Sequence, residues 1–246
     1  RAIGLKISSS KYPFKKYIPE LGGCSSFIVN HDANIEDSVK KAIKGCFANS
    51  GQRCTAIRKI LLHTQIYDEF VEKLVQSTSA LRLGDPYDPL TFIGTLVNED
   101  AALKVKSRVD KALSNGANLL VGNDINRAQY SPTIIENLDL GEELINEETF
   151  GPVAPLLKID SLEQAIEITN DSKFALAAAI MTKNIEDAEK VFNQIEVGQF
   201  NWNNIPGFRF ESAPFGGFKF SGNGLKEGVV SSIVEFQCTR TFYEHL

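Results

Sequence analysis

Residues 27–62 read FIVNHDANIEDSVKKAIKGCFANSGQRCTAIRKILL, and the hydrophobic period changes twice along that stretch. FIV (27–29) has the character of a buried strand. After HDAN, Ile35, Val39, Ala42, Ile43, Cys46 and Phe47 recur at helical spacing. Asn34 is placed to cap that helix, Glu36 and Asp37 fall in its first turn, and Lys40, Lys41 and Lys44 lie on the outer side. Gly51 is expected to end it, because glycine enters the left-handed conformation without a steric penalty. RKILL (58–62) then reads as a second strand. Cys54 falls in the turn between, where functional side chains on rigid scaffolds concentrate.

The same alternation continues downstream. Ile66 to Leu81 has the pattern of an amphipathic helix, and the turn-rich GDPYDP (84–89) is read as a loop because the pattern on either side is unchanged. A helix near 98–115, short strands at NLLVG and SPTIIE, and a strand at VAPLLKI (153–159) follow. SLEQAIEIT opens with a capping box formed by Ser161 and Gln164. FALAAAIMT (174–182) is expected to be one buried strand. NIEDAEKVFNQI puts Ile185, Ala188, Val191, Phe192 and Ile195 on one helical face. Alternating strands and helices of this length predict an α/β fold with an open, largely parallel sheet flanked by helices. No repeat, low-complexity tract or linker interrupts it.

Bulk properties narrow the function. The 246 residues carry 26 basic and 31 acidic side chains in mixed order, with a formal net charge of -5. That leaves no basic stripe of the sort nucleic acid requires. Apolar runs such as FALAAAIM stop far short of the roughly 20 residues of a membrane span, so a soluble chain is expected. The four cysteines, 24, 46, 54 and 238, form no CxxC pair and no zinc spacing with histidine. No metal site is expected, and the setting reads as reducing and cytoplasmic. The chain opens RAIGLKISSS, and its single methionine is Met181. This predicts either a removed start or part of a longer product, and the opening lacks the features of a signal peptide.

Cys54 is the principal chemical candidate. A free thiol has a pKa near 8.5, so little of it is thiolate at neutral pH, and nearby positive charge or helix-end amides would raise that fraction. Arg53 is the adjacent candidate charge. Cys46 on the apolar helix face, Cys24 and Cys238 read as structural thiols. A hydrolase dyad with His31, His63 or His245 would need a tertiary contact, since none has a local signature. ELGG (20–23) sets a carboxylate before two glycines. EETFGP (147–152) and APFGGFKFSGNG (213–224) are ambiguous alone, and no GxxxxGK[ST] phosphate loop is present.

Taken in order, ELGG, FxxxGQxC, EExFGP and PFGGxKxSGxG resemble the motif order of the aldehyde dehydrogenase superfamily, in register across about 200 residues. The resemblance covers the catalytic, C-terminal half of that family. It implies NAD(P)+-dependent oxidation of an aldehyde to a carboxylate. Cys54 would attack the carbonyl to give a thiohemiacetal and then a thioester, with its own N–H donating to the oxyanion. Glu20 would be the base that activates water. Glu148 would hold the nicotinamide-side ribose, with Phe150 and Leu21 beside the coenzyme, and Phe215 would line the aldehyde pocket. GQRCTA together with FNWNN is similar to the non-phosphorylating glyceraldehyde-3-phosphate, lactaldehyde and semialdehyde branches. Arg53 and Arg209 are candidates for an anionic aldehyde, or for surface and salt-bridge roles.

The resemblance also marks departures. Position 24 is Cys where the family often has Lys. Only 19 residues precede Glu20, so the N-terminal coenzyme domain, the Asn that completes the oxyanion hole and most of the oligomerisation arm are expected to have no counterpart in these residues. RAIG (1–4) resembles the end of a GST-containing segment. The expected organisation is therefore a catalytic domain over 1–230 and a strand-like C-terminal tail over 231–246 that serves oligomerisation. The expected partners are a small-molecule aldehyde, the missing coenzyme domain and further copies of the chain, with no nucleic acid or membrane. NAD or NADP would serve the complete protein, with weak or absent binding by this chain alone. Two alternatives stand beside it: a coenzyme-independent thiol esterase, and a non-catalytic remnant acting as an interaction module.

Overall fold

In the computed structural model, which describes residues 2–9 and 16–245, a short helix α1 (Ala2–Ser8) precedes the strand–helix–strand unit. Arg1 of the RAIG motif lies outside the described residues. Strand β1 (Ser25–Val29) pairs in parallel with β2 (Ile57–His63), Phe27 opposite Ile60 and Val29 opposite Leu62. A parallel pair needs a crossover connection, and α2 (Ile35–Phe47) supplies it. Asn34 caps α2, its Oδ1 accepting from the Asp37 N–H at 3.1 Å.

The remaining strands extend the sheet on both sides. They are β3 (Asn118–Val121), β4 (Thr133–Glu136), β5 (Val153–Ile159), β6 (Ala177–Met181) and β7 (Gln199–Trp202). Among the described residues the order is β7-β6-β1-β2-β5-β4-β3, parallel throughout except for β3 against β4. The expected open, largely parallel α/β fold is what the structure shows.

Successive side chains of a strand point to opposite faces, so each central strand feeds two cores. Phe27, Val29, Ile60 and Leu62 pack on the face covered by α2 and α3 (Tyr67–Ser79), with Phe47, Phe70 and Leu74. Ile28, Leu61 and Leu157 pack on the other face, under α4 (Glu99–Ser114), α5 (Glu143–Asn146), α6 (Leu162–Asn170) and α7 (Ile185–Gln194). No helix among the described residues is long and apolar enough to cross a membrane.

Five local expectations are corrected. Helix α2 ends at Phe47, and a tight turn over Ala48–Gly51 follows in which Asn49 (φ 55°), Ser50 (φ 53°) and Gly51 (φ 70°) are all left-handed. FALAAAIMT is two elements, because Phe174–Ala175 leaves the main sheet to pair antiparallel with Phe218–Lys219. On α7, Ala188 and Val191 are buried and so is Ile195 just beyond it, but Ile185 and Phe192 are exposed. The tail is not strand-like: it begins as helix α8 (Val229–Glu235), and residues 237–245 have no regular structure. The Ser161 cap is half a box. Its Oγ accepts from the Gln164 N–H, while the Gln164 side chain accepts from the Asp160 N–H instead of closing on Ser161.

Gly51 is where the Cys54 turn meets the EETFGP loop. A Cβ there would lie 2.2 Å from the Gly151 carbonyl oxygen, in a conformation that already disfavours any side chain. Gly51→Ala is expected to cost on the order of 1–3 kcal/mol. Ser161→Ala, which removes only a cap acceptor, is expected to cost about 1 kcal/mol. Urea unfolding measures both, and a Gly51→Ala variant as stable as the parent would show that the two loops do not meet this way.

Candidate active site

The amino ends of three neighbouring parallel strands bring the sequence motifs together. Glu20 precedes β1, Cys54 precedes β2, and the EETFGP loop runs directly into β5. Glu20, Cys54, Phe150, Arg209, Phe215 and Glu227 share one cleft of about 570 Å³. A second cleft of about 430 Å³ is lined by Glu148, Lys104, Arg108, Lys111 and, again, Phe150. Phe150, 46% exposed, is the wall the two clefts share.

The ELGG glycines explain how closely these groups approach. A Cβ on Gly22 (φ 106°) would lie 2.4 Å from Glu148 Oε2, and one on Gly23 would lie 2.5 Å from the Cys54 carbonyl oxygen. The Gly23 N–H donates to Glu148 Oε1 at 3.1 Å. One glycine therefore admits the Glu148 carboxylate and the other the backbone of the Cys54 turn. The Leu21 N–H donates to the Ser221 carbonyl at 3.2 Å, which ties ELGG to the SGNG segment.

Each residue of GQRC has its own anchorage. The Gln52 Nε2 donates to the Thr95 carbonyl at 3.2 Å, and its Oε1 accepts from the Val97 N–H at 2.9 Å. Arg53 turns back to helix α2 and donates to the Lys44 and Gly45 carbonyls at 2.9 and 3.1 Å. Both belong to the last turn of the helix, and the Lys44 carbonyl also accepts from the Ala48 N–H. The guanidinium is thus spent as a cap, although Arg53 still contributes to the cleft wall. Cys54 remains half-buried and faces the cleft.

Cys54 and the Arg53 guanidinium do interact, but burial and two carboxylates outweigh that expected help. Burial pushes the thiol up, the Glu20 and Glu148 carboxylates push it further, and the Cys54 and Thr55 backbone N–H groups pull it back. Glu20 is exposed overall, yet the cleft walls desolvate it enough to raise its pKa. Glu227 adds to that rise, while Arg209 and Lys226 oppose it. Burial also raises Glu148, against the Gly23 N–H and the Arg58 charge. Cys46 is sealed in the core and pushed up to about 12 by burial, and the buried Cys24 thiol donates to the Ile145 carbonyl at 3.1 Å.

Arg209 lies 4.6 Å over the Phe215 ring and pairs with Glu227 at 3.1 Å. Backbone hydrogen bonds of 2.8 and 2.7 Å join Phe215 and Glu227 directly. The histidines are elsewhere. His31 and His63 pack ring to ring, 5.2 Å apart, at the carboxyl ends of β1 and β2. Seven residues of strand at about 3.3 Å each separate that end from Cys54. A Cys54 dyad with either is therefore ruled out, and His245 sits exposed at the end of the tail. Among the described residues no group of three or more His, Cys, Asp or Glu side chains could hold a metal ion.

Sequence reasoning missed four participants: Arg58, Arg108, Lys226 and Glu227. Arg58 could have been flagged, with its neighbour Lys59, as a charge inside a strand that is otherwise apolar from Ile57 to Leu62. Arg108, half-buried on α4, donates to the Glu148 carbonyl at 2.6 Å, and no local pattern marks it. Lys226 donates to the Gly198 and Gly216 carbonyls just before Glu227.

Comparison with known proteins identifies the family. The aldehyde dehydrogenase family model matches residues 1–242. Sulfoacetaldehyde dehydrogenase of Neptuniibacter caesariensis is 39% identical over 228 residues, covering 93% of this chain and 50% of that protein. Lactaldehyde dehydrogenase of Methanococcus vannielii is 38% identical over 243 residues, covering 99% and 52%. The crystal structure of glyceraldehyde-3-phosphate dehydrogenase GapN from Methanocaldococcus jannaschii, complexed with NADP, superposes with a TM-score of 0.91 at 36% identity, covering 95% of this chain and 50% of that one. The chain spans about half the length of the curated relatives it matches. With its motifs gathered at the amino ends of β1, β2 and β5, and a family model matched along almost its whole length, the chain belongs to the aldehyde dehydrogenase family.

Proposed function

We propose that the protein carrying this chain oxidises an aldehyde to a carboxylate through Cys54, with NAD(P)+ as coenzyme. The observation that carries the reading is the convergence of a half-buried thiol and two carboxylates, Glu20 and Glu148, on adjoining clefts divided by Phe150. Cys54 is held as a thiol at rest by burial and by both carboxylates. Attack on a carbonyl therefore requires its proton to leave. Glu20, raised by burial and by Glu227, is a suitable acceptor in the same cleft. The Cys54 and Thr55 N–H groups that stabilise the thiolate are also candidates to stabilise an oxyanion beside it. After oxidation the acyl group is a Cys54 thioester, and Glu20 is placed to take a proton from the water that hydrolyses it.

The residues present fit the ribose end of a nicotinamide dinucleotide. Glu148 presents a carboxylate to a cleft with Lys104 and Lys111, beside the half-exposed Phe150 ring, and a carboxylate is a natural acceptor for ribose hydroxyls. When bound, that coenzyme supplies the hydride acceptor.

For the substrate, the relatives named for sulfoacetaldehyde and lactaldehyde suggest a small oxygenated or anionic aldehyde. Arg209 is the available cation, since Arg53 is engaged with α2. An anionic group would exchange with Glu227 as its partner. A second reading rests on the same thiol: acyl transfer needs only Cys54, Glu20 and water, so hydrolysis of activated esters without coenzyme is expected too.

Cys54→Ala is expected to abolish both aldehyde-dependent NAD(P)H formation and ester hydrolysis. Glu20→Gln should slow thioester hydrolysis roughly 100- to 10,000-fold, leaving a burst of one product per site. A neighbouring carboxylate holds the Cys54 pKa up, so its removal in Glu20→Gln should move the midpoint of the Cys54 alkylation profile to lower pH. Ester turnover that survives in Cys54→Ala, or a midpoint that moves upward in Glu20→Gln, would sink these roles.

A further inference from the structure

Arg58 is the largest of the fully buried side chains, 1% exposed, and it lies on β2 four residues beyond the nucleophile. Its Nη1 donates to the Gly151 carbonyl at 2.8 Å. Its Nη2 donates to the Gly51 carbonyl, and to the Arg53 carbonyl at 3.4 Å. One guanidinium thus holds the turn that carries Cys54 and the loop that carries Glu148 and Phe150, at the point where Gly51 and Gly151 touch. The hydrogen bonds it makes among the described residues all go to backbone carbonyls, and its Nε is buried without a partner. Glu148 is the first of the charges that favour its ionised form. A buried cation spent wholly on the backbone of two loops is costly unless their relative position matters.

We propose that Arg58 is a positioning residue that locks the nucleophile turn to the Glu148 loop, so that the thiol and the ribose carboxylate keep a fixed relation. Its catalytic meaning rests on the aldehyde oxidation proposed above, whereas the locking itself does not. A planar fork reaches both carbonyls at once, which a lysine ammonium on a single stem does less well.

The test compares the parent chain with Arg58→Lys and Arg58→Met by following iodoacetamide labelling of each cysteine by mass spectrometry. Cys24 and Cys46 are buried in the core and report global opening. Cys54 reports the turn. Arg58→Met is expected to label Cys54 roughly tenfold faster through local opening, with Cys24 and Cys46 still protected and Arg58→Lys in between. If the parent oxidises aldehydes, kcat should also fall roughly tenfold to a hundredfold in Arg58→Met, and KM for NAD(P)+ should rise. An unchanged Cys54 rate in both variants would overturn the proposal, as would loss of Cys24 and Cys46 protection in step with Cys54 in both. A parent chain without aldehyde oxidation would count against the proposed function alone, because the labelling result stands without it.

Discussion

The site depends on how closely three backbones approach. ELGG can receive the Cys54 carbonyl on one side and the Glu148 carboxylate on the other only because neither Gly22 nor Gly23 has a Cβ. Gly51 against Gly151 repeats that arrangement one layer away, and Arg58 fastens it from beneath. A methyl group at any of these contacts would overlap a neighbouring atom. Cys54, Glu20 and Glu148 would then no longer share a pair of clefts.

The site also sits at the less usual end of its sheet. In open α/β sheets ligands commonly bind outside the carboxyl ends of the strands. Here the carboxyl ends of β1 and β2 carry His31 and His63, packed against each other, while the chemistry gathers at the amino ends. The turn that carries Cys54 is anchored by side chains to α2, to the 95–97 segment and to the EETFGP loop. Such anchorage can hold Asn49 and Ser50 in left-handed conformations that cost energy.

Electrostatics around the thiol follow from the same crowding. Two carboxylates beside a half-buried cysteine keep its proton in place, unlike sites where a cation draws it off. Glu20, in the same cleft, is itself raised by burial and by Glu227. Arg209, stacked on Phe215 and paired with Glu227, links the Phe215 wall of the cleft to the same network.

Local pattern was enough for the strand over 27–29, the helix from Ile35, the strand at VAPLLKI and the Asn34 cap, because these depend on periodicity and on a cap three residues from its donor. The family resemblance singled out Cys54, Glu20, Glu148, Phe150 and Phe215, since its motifs record spacing along one chain. What periodicity could not reveal was partner choice. Nothing in GQRC says that Arg53 turns back to cap α2, nothing in IRKILL says that Arg58 reaches two distant carbonyls, and nothing in NIEDAEKVFNQI says that Ile185 and Phe192 stay exposed. Periodicity and capping residues were enough to place most strands and helices and the residue types that can do chemistry, but not the end of α2, the break in FALAAAIMT or the helix at the tail. Only the tertiary structure decided which charges face the thiol, because hydrogen-bond partners and burial are set by residues that are far apart in the chain and adjacent in the sheet.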